Sequence, residues 1–140
     1  IEALQKLHAL GPRIVIITST DFSDVNGEYI FLYASQIDKG GMNKTLEHSK
    51  VGIPVLKTKE ANDSVFTGTG DLLSSMLLAH NEKYPDDLQK TVEYAVNIVH
   101  QTLQTTIATP LLGTREINLI ASKKCIEEPE IKIKVKDWAE

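Results

Sequence analysis

A glycine turn lies between an apolar run and the start of an apolar helix pattern, and it constrains the fold more than any other segment. Residues 65–73 read Val-Phe-Thr-Gly-Thr-Gly-Asp-Leu-Leu. Glycine lets backbone N–H groups converge on an anion, and a helix N-terminus adds positive dipole at the same place. The segment therefore predicts an anion site made by Gly68, Thr69 and Gly70, with Asp71 beside it as a proton acceptor.

The pattern around Asp71 has two interpretations. A phosphoryl-transfer site needs donors that stabilise charge on the phosphate and a positioned base for the attacking hydroxyl. Alternatively, an aspartate that caps a helix contributes about 1 kcal/mol and has no catalytic duty. Two common nucleotide motifs are missing, because the chain lacks both G-x-x-x-x-G-K-[ST] and the third glycine of G-x-G-x-x-G.

Two small polar residues, Thr18 and Ser19, follow a strand pattern. The run from Ile14 to Ile17 is β-branched throughout, which is typical of a strand buried on both faces of a parallel sheet. Because open α/β sheets bind ligands at the carboxyl ends of their strands, Thr18 and Ser19 are candidate ligand contacts. A hydroxyl turn or a helix cap explains the same two residues equally well.

The remaining periodicity predicts alternating helices and strands. Residues 71–80 are apolar almost all round, which predicts a buried helix, whereas 131–135 alternates like a half-exposed edge strand. We therefore expect a single α/β domain with a mainly parallel sheet flanked by helices. Helices are predicted at 1–10, 71–80 and 85–109, and strands at 14–17, 29–33, 51–56 and 131–135.

Composition narrows the class of protein. A net charge of −4 without a basic run argues against a nucleic-acid partner. The single cysteine excludes an intramolecular disulfide and favours a reducing, cytoplasmic location. The four histidines lack the paired spacing of a metal cluster. No apolar stretch approaches the roughly 20 residues of a membrane span, so we expect no membrane partner.

Three segments of the chain resemble one known family. G-T-G-D at the head of an apolar helix is similar to the signature of the ribokinase-like superfamily, and 65–79 resembles the catalytic turn and helix of its pyridoxal kinase family. Residues 10–21 resemble that family's ATP-site strand and loop, and 122–131 its closing segment. The resemblance implies a ribokinase-like fold in which 1–140 is the C-terminal nucleotide-binding and catalytic part.

This resemblance implies ATP-dependent phosphorylation of the 5′-hydroxymethyl group of pyridoxal, pyridoxine or pyridoxamine. It implies that Asp71 binds and activates that hydroxyl, while Gly68, Thr69 and Gly70 hold the transferring γ-phosphoryl group. Mg²⁺ on the phosphates, a K⁺ or Na⁺ ion nearby and a homodimer are implied as well. The contacts implied for the nucleotide phosphates, adenine and ribose are Thr18, Ser19, Phe66, Thr67 and Leu103.

Two other functions are compatible with the same residues. Hydroxymethylpyrimidine and sugar kinases of the superfamily share G-T-G-D, and a non-catalytic α/β module would keep the turn for structural reasons. The family's N-terminal half, which holds most of the pyridoxal pocket, is absent from these 140 residues. We therefore do not expect this chain alone to be a complete enzyme.

Overall fold

The computed structural model describes residues 1–20, 26–37, 46–56 and 66–137. The chain divides into two compact units. The first unit comprises Ile1–Pro54 and Lys134–Glu140, and the second comprises Val55–Ile133. Val65, the first residue of the predicted turn segment, lies outside the described residues.

The first unit is an antiparallel sheet with one helix. The strand order follows the chain order, and each neighbouring pair of strands is antiparallel. The predicted helix at the start of the chain is confirmed. The elements of this unit are α1 (Glu2–His8), β1 (Ile14–Thr20), β2 (Tyr29–Ile37), β3 (Leu46–Pro54) and β4 (Lys136–Asp137).

The prediction of a mainly parallel sheet is not confirmed for these strands. The connection from β1 to β2 is short and contains a turn at Gly27, where φ is +66°. A parallel neighbour needs a crossover of about a dozen residues or more, whereas eight residues separate the end of β1 from the start of β2. The β-branched run is also not buried on both faces, since Val15 is buried while Ile14 and Ile16 are half-buried.

A buried histidine joins α1 to the sheet. The Nδ1 atom of His8 lies 2.9 Å from the carbonyl oxygen of Pro12, and its Nε2 atom lies 3.0 Å from Oγ of Ser35 on β2. Leu4, one helical turn earlier, is also buried. Because burial leaves a polar ring few partners, these two hydrogen bonds fix the position of the helix end.

The second unit is helical, with α3 at its core. Asp87 caps α3, because its carboxylate accepts a hydrogen bond of 2.8 Å from the backbone N–H of Lys90. Val92, Ala95 and Ile98 on α3 are fully buried, and the helix predicted at 85–109 is confirmed. None of the described helices is both long and apolar enough to span a membrane. The helices of this unit are α2 (Thr69–Lys83), α3 (Leu88–Ala108) and α4 (Lys123–Glu127).

Two predictions for this part of the chain are wrong. In α2 only Leu72 is buried, and the side chain of Leu78 is 74% exposed, so the helix is not buried all round. The edge strand predicted at 131–135 is also absent. Instead, the backbone N–H groups of Lys132 and Ile133 both donate to Oδ1 of Asn97 on α3, at 2.9 Å. The only strand in this part of the described chain is β4, which begins at Lys136.

Candidate active site

The predicted glycine turn is the N-terminus of α2. Gly68 is the N-cap residue and has φ +92° and ψ −7°, in the left-handed region that favours glycine. The first hydrogen bond of the helix joins the N–H of Leu72 to the carbonyl oxygen of Gly68 at 3.0 Å. The turn therefore brings the chain into the helix within a single residue.

Three backbone donors at this helix start are available to an anion. The N–H groups of Thr69, Gly70 and Asp71 precede the first helical hydrogen bond, and no described residue accepts from them. Gly68 has no side chain with which to cap them. Since the positive end of the helix dipole lies at the same point, the turn has the donors and the field that a phosphate group prefers.

Hydroxyl groups in the turn are bound to carbonyl oxygens. Oγ1 of Thr69 donates to the carbonyl of Phe66 at 3.0 Å, and Oγ of Ser74 donates to the carbonyl of Gly70 at 2.9 Å. The first bond closes the turn on itself and leaves the Thr69 N–H unused. The carboxylate of Asp71 is exposed and makes no hydrogen bond or ion pair with any described residue. It is thus accessible from solvent.

A distant segment of the chain holds the turn from one side. Thr67 forms a parallel bridge with Glu116, in which the Thr67 N–H donates to the carbonyl of Arg115 at 2.9 Å and the Ile117 N–H donates to the carbonyl of Thr67 at 3.1 Å. A Cβ placed on Gly68 would lie 3.3 Å from Cγ1 of Ile117. The bridge therefore packs an apolar side chain directly against the glycine of the turn.

That segment is in turn fixed to α3 by Asn118. Its N–H donates to Oγ1 of Thr106 at 2.9 Å, and its Nδ2 donates to the carbonyl of Thr109 at 2.8 Å. Its Oδ1 accepts from the N–H of Ala121 at 3.0 Å. Asn118 and the adjacent Ile117 are both buried. A continuous set of contacts thus runs from the core helix to the glycine turn.

Sequence reasoning missed this supporting segment. The apolar residues after Glu116 suggest an element of some kind, but nothing local to Arg115, Glu116 or Ile117 indicates pairing with Thr67. Only a relation between distant positions, such as correlated changes in related sequences, would have pointed to it.

The remaining predicted site residues belong to α3 and to β1. Leu103 is half-buried on α3, within the second unit. Thr18 and Ser19 belong to the first unit, near the end of β1, where the register with β2 shifts between Ile17 and Thr20. Ser19 has φ +58°, an uncommon value for a residue other than glycine, and both Thr18 and Ser19 are exposed. Such an irregularity at a strand end turns side chains out of the regular alternation.

The other end of α2 carries an aromatic cluster. The ring of His80 stacks on Tyr84, with centroids 6.1 Å apart, and lies 4.8 Å from the ring of Tyr94. Burial, followed by the charge of Lys83, lowers the pKa of His80. Desolvation raises the pKa of Tyr84, but hydrogen bonds with Tyr94 and Lys83 and the charges of Lys83 and Lys90 outweigh it and lower that pKa.

No built-in metal cluster accompanies the turn in the described part of the chain. Within those ranges, no group of three or more His, Cys, Asp and Glu side chains is placed to hold a metal ion. The donors at the turn are backbone N–H groups, which fit a phosphate rather than a cation.

The curated proteins to which this chain is similar are pyridoxal kinases. No protein-family model matches the chain. It is 34% identical over 142 residues to the pyridoxal kinase of Bos taurus, in an alignment that covers 94% of this chain and 44% of the relative. The chain is similar in sequence to the pyridoxal kinases. The Arabidopsis thaliana pyridoxal kinase is 32% identical over 145 residues, covering 99% of this chain and 43% of the relative. The chain spans less than half the length of these curated relatives.

Solved structures agree with this relation and with an α/β fold. A structure of Plasmodium falciparum PdxK with the ligands AMP-PNP and PL matches with a TM-score of 0.74 and 25% identity, over 99% of this chain and 41% of that one. A Bacteroides thetaiotaomicron structure named for a phosphomethylpyrimidine kinase matches with a TM-score of 0.73 and 22% identity, over 98% and 42%. The second likeness concerns the fold alone. The resemblance predicted from the motifs is confirmed.

Proposed function

We propose that this chain is the ATP-binding and catalytic-base part of a ribokinase-like pyridoxal kinase, which phosphorylates the 5′-hydroxymethyl group of pyridoxal, pyridoxine or pyridoxamine. From pyridoxal the product is pyridoxal 5′-phosphate. The observation that carries this proposal is the helix N-terminus at Gly68, where three unused N–H groups stand next to the exposed carboxylate of Asp71. The pyridoxal kinase relatives and the match to a structure with AMP-PNP, an ATP analogue, support it.

The proposed reaction is an in-line phosphoryl transfer. The oxygen of the substrate hydroxyl forms a bond to the γ-phosphorus of ATP, and Asp71 accepts the proton of that hydroxyl. The bond between the γ-phosphorus and the β,γ-bridging oxygen breaks, which releases ADP. The N–H groups of Thr69 and Gly70 stabilise the charge on the transferring group. Since little proton transfer has occurred when the transition state is reached, positioning and charge stabilisation matter more than the strength of the base.

The nucleotide contacts follow from the same proposal. Thr18 and Ser19 contact the phosphates of ATP, and Phe66, Thr67 and Leu103 border its adenine and ribose. Mg²⁺, bound to the phosphates, neutralises charge there. A nearby K⁺ or Na⁺ ion, a homodimer and a cytoplasmic location complete the proposal. Light scattering of the purified protein tests the dimer directly.

Binding of Mg-ATP to the chain tests the anion site. A Cβ on Gly70 meets nothing within 4 Å, so Gly70→Val obstructs an approaching phosphate without a clash inside the protein. We expect calorimetry to show ATP affinity at least about tenfold lower in Gly70→Val, since one lost charge-assisted contact has roughly that effect. Ser75→Val is the matched control, because it adds the same β-branched side chain at an exposed position of α2. Equal loss in both variants would contradict the site.

Turnover of the protein that carries this chain tests the base. Asp71→Asn keeps the shape of the side chain but removes its capacity to accept a proton, and we expect the rate of pyridoxal 5′-phosphate formation to fall by about 10²–10⁴ with ATP affinity retained. Glu82→Gln, an exposed carboxylate on the same helix, is the control. An unchanged rate in Asp71→Asn would refute the assignment. A panel of pyridoxal, hydroxymethylpyrimidine and sugars then separates this function from the other ribokinase-like kinases.

A further inference from the structure

One face of the first unit carries aromatic rings in a row. Tyr29, Phe31 and Tyr33 alternate along β2, and their ring centroids are 6.4 and 6.5 Å apart. Gly52 is the partner of Phe31 on β3. A Cβ on Gly52 would lie 3.1 Å from Cε1 of Phe31 and 3.4 Å from Cδ1 of Tyr29, so these rings reach over the space that glycine leaves.

A cavity of about 450 Å³ opens on this aromatic face. Its size falls within the range of small-molecule sites, which are about 300–1,000 Å³. The rings provide its apolar wall and lysine side chains provide its polar wall. The lining residues are Tyr29, Phe31, Lys50, Gly52, Lys134, Lys136 and Asp137.

The lysines of the cavity are brought together by strand register. Lys50 on β3 is the direct partner of Lys136 on β4, and Lys134 precedes Lys136 by two residues. Like charges directly opposite one another, as Lys50 and Lys136 are, destabilise an antiparallel pair, and the lining of the cavity contains three lysines and one carboxylate, Asp137. An anion placed between them would relieve that repulsion.

Lys50 connects the charged wall to the aromatic wall. Its Nζ atom lies 4.2 Å from the ring centroid of Phe31 and 5.4 Å from that of Tyr33. The side chain is half-buried, so it is directed along the rings rather than freely into solvent. The cavity thus offers a ring surface and a positive charge within the span of one small molecule.

We propose that this cavity binds a small aromatic anion, with a planar ring against Tyr29 and Phe31 and a phosphate held by Lys50, Lys134 and Lys136. Aromatic rings pair by offset or tilted stacking, and lysine ammonium groups attract phosphate as point charges. A row of solvated surface lysines would need neither the aromatic wall nor the glycine opposite Phe31. The proposal does not depend on the kinase function, because the glycine turn belongs to α2 in the second unit.

Nuclear magnetic resonance titration of the ¹⁵N-labelled chain tests the site with three probes. Phenyl phosphate has the ring and the charge, inorganic phosphate has only the charge, and benzyl alcohol has only the ring. We expect saturable shifts of the Phe31, Lys50, Gly52 and Lys136 amides with phenyl phosphate, and affinity about tenfold lower for each of the other two probes. The amides of Gly68 and Gly70 report separately on phosphate at the turn, so failure of one site is distinguishable from failure of the other.

Matched lysine variants test which charges hold the anion. Lys50→Gln should weaken phenyl phosphate binding about tenfold. In a separate measurement on the wild type, raised salt should also weaken this binding, because salt screens the lysine charges. Lys6→Gln is the control, because Lys6 is an exposed lysine of α1 that pairs with Glu2 and does not line the cavity. If Lys50→Gln disturbs β3, Lys134→Gln replaces it, since residue 134 lies outside the strands.

Three outcomes would overturn the proposal. The first is an absence of saturable shifts at the cavity amides with phenyl phosphate. The second is equal affinity for inorganic phosphate, which would remove the role of the aromatic wall. The third is an equal effect of Lys6→Gln, which would show that binding depends only on the overall charge of the first unit and not on the lysines of the cavity.

Discussion

Gly68 is subject to two separate constraints, one on its backbone and one on the space beside it. Its φ of +92° disfavours any side chain, and the neighbouring Ile117 would lie 3.3 Å from a Cβ. We expect Gly68→Ala to lower the free energy of unfolding by roughly 1–3 kcal/mol, from left-handed strain and overpacking together. Urea denaturation measures this loss. Gly70→Ala, with nothing within 4 Å of its Cβ, should be neutral or slightly stabilising.

Asn97 is a second residue on which distant parts of the chain depend. It is 2% exposed, and its Nδ2 donates to the carbonyls of Glu93 and Ile133, both at 2.8 Å. Its Oδ1 accepts from the N–H groups of Lys132 and Ile133. One carboxamide thus uses both its donor and its acceptor to hold residues 132–133 against α3.

Removing that carboxamide leaves partly buried backbone groups of Lys132 and Ile133 without these partners. We expect Asn97→Ala to lower the free energy of unfolding by roughly 2–4 kcal/mol, because several groups lose hydrogen bonds at once. Gln101→Ala is the comparison, since Gln101 makes similar bonds to the backbone of Glu130 at an exposed site where water replaces them. Equal losses in the two variants, measured by urea denaturation, would contradict the argument.

At the scale of residues, the glycine turn was predictable because its signal is local. The conformational freedom of Gly68 and the presence of a helix after it both appear in consecutive letters, although the helix begins at Thr69, two residues before the predicted start. Ile117 and Asn118 were not predictable, because their roles arise from contacts with Thr67 and Thr106, which lie far away in the sequence. The catalytic role of Asp71 and the nucleotide roles of Thr18 and Leu103 stay predictions.

The aromatic end of α2 gives this element a pH dependence. Because burial and Lys83 lower the pKa of His80, the folded protein binds its proton less readily than the unfolded chain does. The resulting stability is fully present above the ordinary histidine value of 6.5 and is lost as the pH falls from there towards the lowered pKa.

The lowered pKa of His80 predicts that the stability of the wild type depends more on pH than that of His80→Gln. On acidification from about pH 7.5 to about pH 5.5, the urea midpoint of the wild type should fall further than that of the variant, which has no imidazole to protonate. Parallel midpoint curves for the two proteins would show that His80 does not contribute. Tyr94→Phe, which keeps the ring against His80, serves as the packing control.

At the scale of elements, the residues at which a helix ends were easier to predict than the faces of the helix that are buried. Asp87 and Pro110 mark the ends of α3 through chemistry that acts within a few residues. For α2, apolar composition indicated a buried helix, yet Leu78 is exposed, because composition does not say what packs against a face. The prediction of a parallel β1 was not confirmed for a related reason, since β-branched residues favour strands of either orientation.

Protection from hydrogen exchange should differ across the whole molecule. In the second unit, the amides of 92–98 on α3 should exchange most slowly, because this stretch contains five of the nine buried residues of α3. In the first unit, β2 should be slowest, since it pairs with the long strands β1 and β3, whereas β3 has only the two-residue β4 on its other side. The strand β4 itself should exchange fast. Mass spectrometry of exchanged peptides measures this order. Equal protection of α2 and α3 would contradict it.

For the whole molecule, the α/β class was predictable and the sheet was not. Alternating helix and strand patterns identify the class, while strand order and direction depend on connections that periodicity does not report. The alignments cover almost all of this chain but less than half of each curated relative.

The bridge between Thr67 and Glu116 has a consequence for how the molecule folds. It joins positions about fifty residues apart, and closing a loop of that length costs entropy before any contact repays it. The helix α3 lies between them and consists of local contacts, which form fast. The glycine turn should therefore acquire its final shape late in folding, after the helix that supports it. A nascent chain that ended before residue 116 would contain G-T-G-D in full and still lack the geometry of the site.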